Sequence, residues 1–460
     1  MALIKNALQN RRGAVLIISM IFVLIFSTLA VSLATMSGTN IQLASNQHKL
    51  NSTLSAAHSG LEAMQYWMDR ITIPDSTSPS GYLSEVFSSL QNDLASNGIT
   101  NISAGYSTST ITIPSVMLAS ADNMNFEATI VQLNNNTLQM DVTGRSGQIM
   151  RTIRVNYNIA PKKHPIFDYG IATKGPLYLQ GSTDIDGLNE SIEANVYIES
   201  TNNNDALSLT GNCSIAGNVS ISNPLANPSV SNSSSIGGET GQDAIDNHVT
   251  TVLNSIDFPI PDPTAFEQYV VDTFDPATDT TTDMTLENIR IPADTNPLFS
   301  GHVTLKGIVF IEIPNIVTFT GNTDIIGIVI GNGDLDYPSE DNQIIFRGNV
   351  DSSSVSQLDS TFGNITQETG TFLLAPGFDA SFGGSFNTIN GVIAASGIEF
   401  FGNAGGTVNG SVINYGDDPM TLVGSVDLVF NRLGITETPA GFETYMVLEF
   451  QPDSYSEPVP

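Results

Sequence analysis

Leu177-Tyr178-Leu179-Gln180-Gly181-Ser182-Thr183-Asp184 is the octet on which the fold of this chain turns. Two apolar positions alternate with polar ones, a glycine follows, and a small polar run closes the unit. The pattern recurs at residues 207–214 (LSLTGNCS), 317–324 (VTFTGNTD) and 344–351 (IIFRGNVD), and more weakly at 398–405 (IEFFGNAG) and 420–427 (MTLVGSVD). The glycines at 181, 211, 321, 348, 402 and 424 are separated by 30, 110, 27, 54 and 22 residues. Apart from the long gap, these are one or two steps of about 20–30 residues, the length of one coil of a repeat array. Short strands with tight turns and no helical period predict a right-handed parallel β-helix over residues 166–432. A coil cannot cover its own apolar residues, whereas the next coil covers them and pairs its backbone edge.

The long gap, residues 223–300, is marked by prolines at 224, 228, 259, 261, 263, 276, 292 and 297 and reads as an excursion from one coil. Helical candidates inside it are residues 242–253 and 263–274. Its aromatics Phe258, Phe266, Tyr269 and Phe274 either grip a partner or cover the core. Residues 433–460 read as a tail with one strand. Upstream, Lys162-Lys163-His164-Pro165 reads as a linker. Before it, alternating runs at 125–133, 137–143 and 150–159, separated by Asn134-Asn135-Asn136 and residues 144–147, predict an antiparallel meander. Arg145, Arg151 and Arg154 fall there as solvated strand-face charges. Residues 82–96 read as an amphipathic helix, giving an α+β head over residues 75–160.

The N-terminus carries Lys5, Arg11 and Arg12, then residues 14–34 without a charge. At about 1.5 Å per residue such a run spans a bilayer core of about 30 Å. The basic flank places everything after the helix outside the inner membrane. Ala30, Ser32 and Ala34 offer a signal-type cleavage site, but the apolar run is long for a signal peptide. Helical spacing of Leu50, Leu54, Ala57, Leu61, Met64 and Met68 carries the helix on until Pro74 stops it.

Arg11-Arg12-Gly13 followed by Ala14-Val15-Leu16-Ile17-Ile18-Ser19 resembles the leader of type IV pilins. That resemblance implies cleavage between Gly13 and Ala14 by a prepilin peptidase. Major pilins carry glutamate at the fifth mature position, here Ile18, and a bilayer-buried glutamate is costly unless paired. The stretch Ala56-Ala57-His58-Ser59-Gly60-Leu61-Glu62-Ala63 resembles the signature of the PilX-type minor pilins, with His58 and Ser59 in place of the usual acidic residue and alanine. That family also typically lacks the fifth-position glutamate. The plainer alternative is a generic single-pass anchor with a juxtamembrane helix.

Charge is lopsided. The 460 residues carry 15 Lys/Arg against 46 Asp/Glu, and residues 165–460 hold 5 of the former and 38 of the latter. Such a body repels nucleic acid. Cys213 stands alone, which excludes an internal disulfide, and no cation lies near it in sequence to activate a thiolate. The histidines at 48, 58, 164, 248 and 302 lack zinc-ligand spacing. Asp184/Asp186 and Asp334/Asp336 offer paired carboxylates for hydrolysis or oxygen ligands for calcium, yet neither loop follows a full calcium pattern. A lyase for anionic polysaccharide needs cations, and between residues 175 and 431 only Arg290, Lys306 and Arg347 are present.

The chain therefore reads as mainly β with a long N-terminal helix: leader 1–13, transmembrane and extended pilin-like helix 14–74, head 75–160, β-helix 166–432 with the excursion 223–300, and tail 433–460. The expected function is a minor component of a type IV pilus or pseudopilus that displays the β-helix for adhesion or partner binding. The alternatives are an envelope scaffold that polymerises without a pilus and a carbohydrate-active enzyme. Expected partners are other pilins, the inner-membrane assembly platform, the prepilin peptidase and a glycan or surface-protein ligand. No catalytic residue, cofactor, metal or nucleic acid is expected. The expected location is the bacterial inner membrane, single-pass, with the remainder periplasmic or extracellular.

Overall fold

The computed structural model describes residues 2–74, 77–119, 123–201, 203–252 and 255–458, with side chains from Val15 onward. A long helix, α1 (Ala2–Met68), precedes a mostly β remainder. The chain divides into a head unit, Met1–Pro161 with Met446–Pro460, and a larger unit, Lys162–Tyr445.

In the head unit, α1 stops at Met68 rather than at Pro74. Asp69 and Arg70 turn the chain, and Thr72–Pro74, led by the β-branched Thr72 and Ile73, goes into a sheet with Ile71 and Ile73 buried. Strands Met124–Asn134, Thr137–Ser146 and Ile149–Lys162 pair antiparallel at the expected places, and α2 (Tyr82–Ser96) buries Leu83, Val86, Leu90 and Leu94. Thr110–Ala119 adds a strand absent from the sequence reading. The second half of α1 packs on this sheet through small residues. A Cβ on Gly144 would lie 2.3 Å from Ala57 N and Thr53 O, and one on Gly60 would strike the Phe126 ring. The Ala57 and Gly60 positions of the quoted signature are thus where helix and sheet backbones approach closely. Arg154 donates twice to Asp141 at 2.7 Å and Arg145 once to Glu127 at 2.6 Å. The expected tail is not free: strand Tyr445–Ser456 lies between Thr72–Pro74 and Ile149–Lys162, with Leu448 buried and Phe450 against Tyr157.

In the larger unit the octets stack in register as parallel strands. Gly181 pairs with Gly211 on one side and Gly424 on the other, and Gly424 pairs with Gly402. These four glycines have φ between +67° and +118°, a conformation that costs an L-residue. At 321, 348 and 384 the reason is contact instead, since an added Cβ would lie 2.1, 2.0 and 2.1 Å from the carbonyl of glycines 301, 321 and 348. Inward positions form a ladder of stacked rings, Phe299–Phe319–Phe346–Phe382–Phe400, with centroids 5.0–5.2 Å apart. Outward amides form another: Asn409 donates to Asn390, Asn431 to Asn409 and Asn189 to Asn431.

Spatial order departs from chain order. Strand Ile171–Thr173 lies between Val196–Ile198, the second of its column in sequence, and Val412–Asn414, the last of that column. The chain enters mid-stack, builds outward to Val249–Thr251, crosses to the far end, resumes at Met284–Ile291 and builds back to meet its first turn.

The expected excursion is accordingly of two parts. Residues 219–251 still belong to the stack, with α3 (Gly241–His248) followed by a strand where a longer helix was expected. Residues 255–271 form a strap to Asp272–Thr273, which pairs beyond Met284–Ile291; its helical part is one 3-10 segment, Pro263–Tyr269. The strap crosses an outward face that carries Ala172, Ile413, Ala394, Leu374, Ile330 and Phe310, all buried. Phe266 and Phe274 are buried as well. The strap aromatics therefore cover core rather than stand exposed.

Candidate functional site

From Val15 to Leu33 the large apolar side chains of α1 are exposed, Ile18 among them, and this is the one helix among the described residues long and apolar enough to cross a membrane. Gly13 and Ala14 lie outside the residues whose side chains are described.

The larger unit has its polar centre where first and last turns meet. Glu193, 2 % exposed, sits in a 3-10 turn, Ser191–Ala194. Burial pushes its carboxyl up, but the backbone N–H groups of Asn189, Arg432, Glu190 and Leu433 outweigh that and hold it at about 2. Arg432 donates its guanidinium to the carbonyls of Glu193, Phe167 and Ile192. Burial lowers its pKa, partly offset by Asp168 and Glu193. Two residues from opposite ends of the unit thus clamp the seam. The strap staples it from outside: Phe258 stands 6.1 Å from Tyr197 and 5.7 Å from Tyr415, Tyr415 donates to Pro259 O, and Tyr197 accepts from Ile256 N. Lys174 lies 5.4 Å over the Phe258 ring.

Beside the clamp opens a groove of about 740 Å³, lined by Tyr169, Ile192, Asn195, Asn218, Ser220 and Thr250, with Lys163, Asp168 and Arg432 at the clamp side. Neither clamp nor groove was found from sequence. The signals were the scarcity of cations, which makes Arg432 conspicuous, and the asparagines that recur outside the octets.

The acid pairs are dispersed. Asp184 and Asp186 share an outward face opposite Asp427 and Val429, and burial with these two neighbours raises Asp427. Asp334 and Asp336 form a turn, Asp336 N donating to Asp334 at 2.9 Å. No group of three or more His, Cys, Asp or Glu placed to hold a metal occurs among the described residues. Cys213 is buried, its Sγ 3.7 Å from Gly181 O.

The helix that packs through Ala57 and Gly60 decides the relationship. Residues 12–62 match the PilX N-terminal family. The matched segment takes in Arg12-Gly13 and Ala56–Glu62, most of the two stretches whose resemblance was read, and the chain carries a pilin-type N-terminal segment. No curated protein matches. Among solved structures, the competence-associated pilin ComZ from Thermus thermophilus is similar at 12 % identity, with a TM-score of 0.28 over 89 % of this chain and 98 % of that one.

Proposed function

We propose that this chain is a minor component of a type IV pilus or secretion pseudopilus, anchored in the bacterial inner membrane by α1, that displays a right-handed parallel β-helix for binding rather than catalysis. The observation that carries it is the PilX-type match over residues 12–62, on a helix whose first part is exposed and apolar. Parallel register through the glycine, phenylalanine and asparagine columns supports the β-helix, and right-handedness is the hand that parallel crossovers take. The bulk of that unit suits a tip or assembly position better than the shaft. Its partners are other pilins, the assembly platform and a prepilin peptidase cutting between Gly13 and Ala14. N-terminal sequencing of protein from its host is expected to begin at Ala14. An intact Met1 or a start near Ser37 would remove the pilin reading and leave a plain anchor or a signal peptide.

A further inference from the structure

We infer that the groove beside the seam is a binding site for a neutral oligosaccharide, recognised by Asn195, Asn218, Ser220 and Thr250. This rests on the reading of the larger unit as a binding module and gives it a site and a ligand class. The groove's 740 Å³ falls within the roughly 300–1,000 Å³ of small-ligand sites. Its polar groups have hydrogen-bonding capacity to spare. Asn195 Oδ1 accepts from Asn218 N, and Asn218 Oδ1 pairs with His248, leaving both amide NH₂ groups to donate. Ser220 and Thr250 are register partners on adjacent strands, about 4.8 Å apart, and their hydroxyls have no partner among the described residues. Tyr169, Ile192 and Leu433 add apolar surface against which the C–H face of a sugar ring can lie.

The charged lining is already engaged. Lys163 is held by Asp168 at 2.9 Å and by Ile435 O, Glu193 by four N–H groups, and Arg432 by three carbonyls. An anionic polymer finds no free cation there, and the 38 acids of residues 165–460 repel it. An extended peptide needs an open strand edge: Val196–Ile198 and Val219–Ile221 are each paired on both sides, and Val249–Thr251, paired on one side among the described residues, offers an edge of only three residues, too short to hold a peptide through its main chain. A ligand read by side-chain amides and hydroxyls, without charge, is a polyol.

The test is calorimetric titration of the full chain in detergent micelles with cellohexaose, chitohexaose, maltohexaose and, as an anionic comparison, polygalacturonate. At least one neutral hexasaccharide is expected to bind and polygalacturonate not to. Ser220→Arg is expected to weaken binding at least tenfold at unchanged Tm. Should that variant fold poorly, Thr250→Ala, at an exposed position, is expected to weaken it about threefold. Binding of no neutral hexasaccharide, preference for polygalacturonate, or indifference of the affinity to the folded variant overturns the proposal. The assay needs no filament, so a failure here leaves the pilin reading intact, and a chain that never enters a pilus leaves this site intact.

Discussion

Glu193 takes its stabilisation from N–H groups on both sides of the seam, and that makes it a pH sensor of the seam's integrity. Its folded pKa, about 2, lies below the ordinary 4.5, so its contribution is complete above about 4.5 and is lost as pH falls through about 2. Glu193→Gln keeps the shape but loses the charge. It is expected to lower stability at pH 7 by about 2 kcal/mol, with a difference from wild type that shrinks between pH 4.5 and 2 in calorimetry. Gly144 answers to space instead. With Ala57 N and Thr53 O 2.3 Å from any added Cβ, Gly144→Val must push α1 from its sheet, and a loss of about 3 kcal/mol is expected in the head's thermal transition.

Among elements, the strap is close to taut. From Val249–Thr251 to Asp272–Thr273 the column takes ten pairings, about 48 Å at about 4.8 Å each. The residues between reach about 57 Å, counting about 2 Å for each 3-10 residue and about 3.3 Å for the rest. Deleting residues 259–268 leaves about 36 Å even at about 3.6 Å per residue, too short to connect the ends. Protease susceptibility at Met284–Ile291 is then expected, whereas four Gly/Ser residues inserted after Ser255 should cost about 1 kcal/mol or less. The strap was visible in the sequence in a form easy to misread. Outward positions of an uncovered strand are polar, yet Gly307-Ile308-Val309-Phe310-Ile311 and Ile325-Ile326-Gly327-Ile328-Val329-Ile330 run apolar without alternation, which signals a second covering layer. The octets were legible because their glycines meet backbone requirements that no other residue satisfies. The groove was not, because Ser220 and Thr250 become neighbours only through stacking.

At the scale of the molecule, the larger unit is two stacks joined at one seam, between residues 171–187 and 412–430. Lys163 and Tyr445 come together where the chain enters and leaves it, Tyr445 donating to Lys163 O at 3.5 Å. Gly181→Val would strike Gly424 O across the seam, while Gly211→Val would strike Gly181 O within one stack. Calorimetry is expected to show two transitions for the first variant and a single lowered one for the second. The same arrangement has a consequence in time. The strand Leu177–Gly181 leaves the ribosome about 240 residues ahead of Met420–Gly424, its partner across the seam. At about 5–20 residues per second, that edge stands bare for about 12–50 seconds, open to any other strand it meets. Whatever escorts this chain must therefore cover the strand Leu177–Gly181 longest.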